Sequence, residues 1–131
     1  MPRPRHDEPT PGELEVLHVL WDRGPSTVRD VLEVLNASRK RAYTSVMTLM
    51  NVMTDKGLLK RRPQGRAFLY EARSTKSRTL GRMLKNLMGR AFEGSASSLV
   101  AHLFEQCRLS EGEIDDIRQA INEYQKKTGS E

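Results

Sequence analysis

Residues 39–57, RKRAYTSVMTLMNVMTDKG, bring two kinds of chemistry into one short stretch. Arg39, Lys40 and Arg41 are cations suited to phosphates, while Tyr43, Thr44, Ser45 and Thr48 carry hydroxyls that hydrogen-bond base edges or the adjacent backbone. At about 100° per residue, Ala42, Val46, Leu49, Met50 and Met53 fall on one arc of a helix, and Arg41, Thr44, Thr48, Asn51 and Asp55 fall on the opposite arc. One side packs and the other is free to read something. The spacing predicts a helix from Arg39 to Lys56, with Ser38 accepting from its first amides and Gly57 closing it in the left-handed conformation. A solvated helix face has a similar pattern in isolation, so the flanking segments must decide between the two.

A second group of cations, Lys60, Arg61, Arg62 and Arg66, follows where the hydrophobic period changes from helical to alternating. Residues 58–62 and 67–71 read as two strands, with Arg62-Pro63-Gln64-Gly65 as the turn between them. Upstream, Thr10-Pro11-Gly12-Glu13 carries a hydroxyl cap, a proline at the first helical position and a glutamate placed for a capping box. The helix it starts is predicted to bury Leu14, Leu17, Leu20 and Trp21 and to stop at Gly24-Pro25. Ser26 or Thr27 then caps a shorter helix with Val28, Val31, Leu32 and Leu35 at core spacing. Three helices followed by a basic hairpin is the layout of a winged helix, whose third helix enters the major groove while the wing lies along the backbone.

Charge supports a polyanionic partner. The chain of 131 residues has a net charge of +5 and is 37% hydrophobic, enough for a core. Residues 1–76 hold 14 Lys+Arg against 9 Asp+Glu, an excess of five, whereas residues 77–131 hold 8 against 8. The excess lies in the half that contains the candidate reading helix, which favours nucleic acid over a general solubility role. No apolar run approaches the roughly 18 residues of a membrane span, and MPRPRHDEP has no apolar signal core, so a cytoplasmic location is expected. The single cysteine, Cys107, excludes an internal disulfide framework and a CxxC pair. Glu15, His18 and Asp22 share a helix face but lack a fourth ligand, and exposed polar positions explain them more simply than a metal site. No nucleophile elbow, phosphate loop or HExxH pattern is present, so no enzyme and no cofactor are expected.

The stretches ELEVLHVLW, TVRDVLEVL, AYTSVMTLMNVMTDKGLL, RRPQGRAFLYEA and SSLVAHLFEQCRLSEGEIDDIRQAI together resemble the BlaI/MecI family of penicillinase repressors, from Thr10 to Tyr124. The YTSVMT, KGLL and LSEGEID segments are the most specific. The resemblance implies a dimeric winged-helix repressor that binds a palindromic operator. Tyr43, Thr44, Ser45 and Thr48 take the family's recognition-helix positions, and Lys60, Arg61, Arg62 and Arg66 those of its wing. In relatives resembling this chain, a membrane-bound sensor metalloprotease triggers cleavage in the first of two short C-terminal helices. The corresponding bond here is His102-Leu103, where the family's resistance repressors carry Asn-Phe. Burial frequencies alone favour Leu103 as a dimer-core residue beside an exposed His102. Copper-responsive relatives carry a C-terminal cysteine cluster, which YQKKTGSE lacks.

The remaining chain has the periodicity of a dimerisation segment. Leu80, Met83, Leu84, Leu87, Met88, Ala91 and Phe92 form one stripe, Leu99, Val100, Leu103 and Phe104 a second, and Ile114, Ile117, Ile121 and Tyr124 a third. Gly94 separates the first two, Ser97 or Ser98 caps the second helix, and Ser110 with Glu113 forms a capping box for the third. These helices have little partner mass in their own chain, and exchange between two chains supplies it with the two-fold symmetry a palindrome needs. The interface is expected to include Leu80, Leu84, Leu87, Leu99, Leu103, Phe104, Ile114, Ile117 and Ile121.

The expected architecture is therefore mainly α. Residues 1–9 form a disordered arm in which Arg3 and Arg5 could follow DNA, 10–72 a winged helix, 73–128 a helical dimerisation domain, and 129–131 a tail. The expected function is a homodimeric, sequence-specific repressor on double-stranded operator DNA. A protein-interaction module would instead show an apolar or acidic reading face, for which Val52 is the one hint. An architectural DNA binder would favour Lys and Arg over hydroxyls on that face.

Overall fold

The computed structural model describes residues 8–129; Arg3 and Arg5 of the expected arm lie outside them. Six helices and one hairpin follow in the order α1 (Pro11–Arg23), α2 (Val28–Asn36), α3 (Tyr43–Lys56), β1 (Leu59–Gln64), β2 (Ala67–Ala72), α4 (Lys76–Ala91), α5 (Ala96–Gln106) and α6 (Glu111–Thr128). Two compact units divide inside α4, Met1–Lys85 and Asn86–Glu131. The fold is mainly α, with three helices followed by an antiparallel hairpin, the winged-helix order.

Local signals account for the helix starts. The Thr10 amide donates to Glu13 Oε1 at 2.9 Å and the Glu13 amide donates to Thr10 Oγ1 at 3.2 Å, closing the predicted capping box. Thr27 and Asp30 form the same reciprocal pair at the start of α2. Gly57 ends α3 with φ 88 and ψ 11, and the Leu58 amide returns to the Met53 carbonyl at 2.9 Å.

The core of the first unit gathers Val16, Leu17, Val19 and Leu20 of α1, Val28, Val31 and Leu35 of α2, Val46, Met50 and Met53 of α3, and Leu59 and Tyr70 of the wing. Because α1 packs against α2, α3 and β2, its buried arc is wider than the predicted stripe. Val16 and Val19 are buried, while Leu14 and Trp21 sit at the core's edge. The Trp21 indole donates from Nε1 to the Ser74 carbonyl at 2.9 Å, tying α1 to the segment that leads into α4.

Three boundaries differ from the sequence expectation. Helix α3 begins at Tyr43 rather than Arg39, and its cap, Ala42, makes no side-chain capping bond. Residues 38–41 instead satisfy the end of α2: Ser38 Oγ donates to the Leu35 carbonyl at 3.2 Å, and the Arg41 amide donates to Asn36 Oδ1 at 2.8 Å. The orphan carbonyls at the end of α2 recruit these residues before they can extend α3. The hairpin turn lies at Gly65-Arg66 rather than across 62–65, since Gln64 pairs with Ala67 and Pro63 with Phe68. Gly65, at φ 61, occupies the first central position of a two-residue loop, where positive φ matches the strand twist. Pro63 fits because β1 is an edge strand, paired on one side only with β2. Beyond α4, Ser95 rather than Ser97 or Ser98 caps α5, accepting from the Ser98 amide at 3.1 Å, after Glu93 and Gly94 turn the chain at positive φ. Ser110 caps α6 by accepting from the Glu113 amide at 3.1 Å, which supplies one half of the expected box.

A further pairing fixes the wing. The Ser26 amide donates to the Tyr70 carbonyl at 2.9 Å and the Tyr70 amide donates to the Ser26 carbonyl at 2.8 Å, so the α1–α2 connection joins β2 as a one-residue third strand. Met50 and Met53 are fully buried beneath this arrangement. Met50→Ala is expected to lower unfolding free energy by about 2–5 kcal/mol through the cavity it leaves, measured by urea denaturation.

Candidate nucleic-acid interface

Helix α3 turns Val46, Met50 and Met53 inward and leaves Tyr43, Thr44, Ser45 and Thr48 exposed, together with Val52. The four hydroxyl residues named from the sequence thus share one accessible helix. Two ion pairs from α1 flank it. The Lys56 ammonium donates to Glu13 Oε2 at 2.8 Å and Oε1 at 3.0 Å, against a glutamate only 3% exposed. At the other end, Arg41 donates from Nη2 to Glu15 Oε1 at 2.9 Å and from Nη1 to the carbonyls of Leu35 and Arg39.

That geometry separates the cations predicted to touch phosphates. The Arg41 side chain is 10% exposed and its donors are spent within the protein. It holds the approach to α3, and these internal bonds leave it less free for a phosphate than the sequence expectation supposes. Arg39 remains exposed, with a loose 3.8 Å approach to Glu15, and exposed Lys40 makes no hydrogen bond or ion pair among the described residues. On the wing, Lys60 and Arg66 are likewise exposed and unpaired. Arg62 makes an exposed pair with Glu71 at 3.5 Å, which screening leaves weak enough to exchange for another anion. Glu15 and His18, considered above with Asp22 for a metal, are engaged otherwise: Glu15 with Arg41, and His18 edge-on to Trp21 at 5.4 Å.

Arg61 differs from its neighbours. Its Nη1 donates to Asn51 Oδ1 at 2.6 Å and its guanidinium lies 4.3 Å from the Phe68 ring centroid. The Tyr70 hydroxyl donates to the same Asn51 oxygen at 2.8 Å. This node links the middle of α3 to both wing strands. Between them and the start of α2 lies a cleft of about 370 Å³, lined in part by Arg29, Tyr43, Asn51, Arg61, Arg66 and Phe68. Arg29 extends over the Tyr43 ring at 5.4 Å. Sequence reasoning put Asn51 on the polar arc without giving it a role, and it missed Arg29, whose proximity to α3 is purely tertiary.

Residues 9–123 match the penicillinase repressor family, which covers most of the chain. The chain belongs to that family. Its relatives include the transcriptional regulator BlaI of Mycobacterium tuberculosis, 32% identical over 123 residues that cover 91% of this chain and 88% of that protein. The penicillinase repressor of Bacillus licheniformis is 24% identical over 115 residues, covering 88% and 90%. The methicillin resistance regulatory protein MecI of Mammaliicoccus sciuri is 24% identical over 110 residues, covering 84% and 89%. The family is one of transcriptional repressors, which are not enzymes.

The second unit has a different surface. Neither α5 nor α6 contains a buried residue, and α4 buries only Thr79. Leu80, Leu84, Leu87, Leu103, Phe104 and Ile121 are exposed, and Leu99, Ile114 and Ile117 are partly covered. His102 lies in the interior of α5, its Nδ1 3.2 Å from the Ser98 carbonyl and its ring 5.3 Å from that of Phe92. Among the described residues no helix is long and apolar enough to cross a membrane.

The two classes of arginine separate by experiment. Arg41→Ala is expected to reduce unfolding free energy by about 1–3 kcal/mol, because charge-assisted bonds to the α2 terminus and Glu15 are lost. Arg66→Ala should stay within about 0.5 kcal/mol of wild type in the same urea titration.

Proposed function

We propose that this family member represses transcription as a homodimer on a two-fold symmetric operator, reading bases with the exposed face of α3 and gripping phosphates with the wing. The observation that carries the reading is the exposure of Thr44, Ser45 and Thr48 on α3, with Lys40 before the helix and Lys60 and Arg66 on the wing exposed and without partners among the described residues. Short hydroxyl side chains reach base edges in the major groove, and the unpaired cations neutralise backbone charge. Arg39, Arg61 and Arg62 add to the phosphate contacts, and Tyr43 contacts the strand at the start of α3.

Dimerisation is supported by the apolar side chains of α4, α5 and α6, many of which stay exposed among the described residues. Exposed leucines and a phenylalanine at this density mark an association surface in a water-soluble regulator. Control by proteolysis at His102-Leu103, triggered by a membrane-bound sensor metalloprotease, belongs to the same reading. Both residues are exposed, but they lie within a regular helix, so a protease would need α5 to open locally.

Binding to a duplex from upstream of the protein's own gene, compared with random DNA of equal length over a salt series, tests the reading. A preference of about a thousandfold or more with a steep salt slope is expected. Equal affinity for both duplexes would make the protein an architectural binder, and no affinity for either would make it an interaction module. Thr48→Ala should reduce the operator preference about tenfold, whereas Lys60→Ala should weaken both duplexes alike and lower the salt slope by about one. Phe104→Glu should convert the dimer to a monomer in sedimentation velocity at micromolar concentration; a dimer unchanged by that charge would place the interface elsewhere.

A further inference from the structure

The cleft between α3, the first turn of α2 and the wing is lined with hydrogen-bond donors. Arg29, Arg61 and Arg66 face it, and no carboxylate is among the residues that form its walls. Two of the three guanidiniums are oriented by aromatic rings, Arg29 by Tyr43 and Arg61 by Phe68. A guanidinium held over an aromatic face loses part of the freedom of its charged end while its N–H groups remain able to donate.

Asn51 completes the set because of how its amide is used. Arginine only donates, so the Asn51 atom that meets Arg61 at 2.6 Å must be the carbonyl oxygen, and Tyr70 donates to the same atom. The Asn51 Nδ2 group is left with its donors and has no partner among the described residues. Thr27 Oγ1, which also lines the cleft, accepts from the Asp30 amide at 3.1 Å. Asparagine reads adenine through one donor and one acceptor together, and here the acceptor is already taken. A group that offers only acceptors, an oxyanion, is the complement of such a site.

We infer that this cleft seats a backbone phosphate of the bound duplex, with Arg29 and Asn51 as ligands beside Arg61 and Arg66. The inference rests on the DNA-binding reading above and adds the two residues that tie α2 and α3 to the strand. A phosphodiester is favoured over a free anion because Thr44, Thr48 and Asn51 fall on one arc of α3 at i, i+4 and i+7, so the cleft continues the exposed hydroxyl face. Phosphate contacts fix register without reading sequence, which makes Arg29 and Asn51 positioning contacts.

The test combines two variants with duplexes that each carry one neutral methylphosphonate, with affinity followed by fluorescence anisotropy. Asn51→Asp keeps an oxygen for Arg61 and Tyr70 but replaces the free donors with a charged acceptor. Arg29→Gln removes a charge from an exposed position, and thermal unfolding checks that both variants remain folded. Each variant should weaken operator and random DNA by the same factor, about tenfold or more. One methylphosphonate position that weakens wild-type binding should have little further effect in Arg29→Gln. Unmodified duplexes bound normally by wild type, with every methylphosphonate acting independently of both variants, would overturn the cleft assignment and leave the DNA-binding reading intact. Absence of binding by wild type would remove both. A change of base preference in Asn51→Asp would make Asn51 a base reader instead. Inorganic phosphate, added to DNA-free protein at constant ionic strength, should leave the Asn51 side-chain amide resonance unmoved at submillimolar concentration; a saturable shift with no coupled phosphate position would identify a small-anion site.

Discussion

The first unit of the molecule depends on Tyr70. Its side chain is buried at 2% exposure, its main chain exchanges two hydrogen bonds with Ser26, and its hydroxyl donates to Asn51. A two-stranded hairpin is marginal alone in water. Through this one residue the wing is fixed to the α1–α2 connection by its backbone and to α3 by its side chain. Phe68, two residues earlier on the same strand, is partly exposed and lies beneath Arg61. Two apart on the strand, the two rings share one face of β2 with centroids 6.5 Å apart, and that face passes from the core at Tyr70 to the surface at Phe68, where it orients a surface cation.

Around that anchor the charged residues divide into two sets. Glu13 and Glu15 stand two apart on α1, and they hold Lys56 at the end of α3 and Arg41 at its approach. A buried carboxylate needs such a partner, since it would otherwise carry an uncompensated desolvation cost. Lys40, Lys60 and Arg66 make no hydrogen bond or ion pair among the described residues. The net positive charge of the chain thus overstates the cations free to meet an external anion, because Lys56 and Arg41 are used to fix α3 and its approach.

The sequence shows the order of elements clearly, and the reasons are local. The hydrophobic period switches at Gly57, capping residues stand at Thr10 and Thr27, and the Val46, Met50 and Met53 spacing identifies the inward side of α3. What it conceals is settled by contacts distant in the chain. The start of α3 depends on Arg41 bonding to α2 and to Glu15, 26 residues earlier, which no window around Arg39 contains. The hairpin turn had two chemically acceptable positions, at Pro63 and at Gly65, and the strand register selects the second. Arg29 and Asn51 are not legible as a pair in the sequence, because only the packed fold brings α2, α3 and the wing to one cleft. The apolar stripes of α4 to α6 were readable as stripes, and the structure adds that their own chain leaves them largely uncovered.

That last feature bears on how such a regulator would respond inside a cell. Helices as short as α5 are marginal in water without an apolar surface to lie against, so under the proposed pairing of two chains this half of the molecule would draw stability from association. Where folding and pairing are one event, stability rises with protein concentration by mass action. Well below the dissociation constant the number of paired molecules varies as the square of the number of chains. Halving the supply of chains then reduces the paired form about fourfold, and a modest change in synthesis or turnover becomes a larger change in promoter activity.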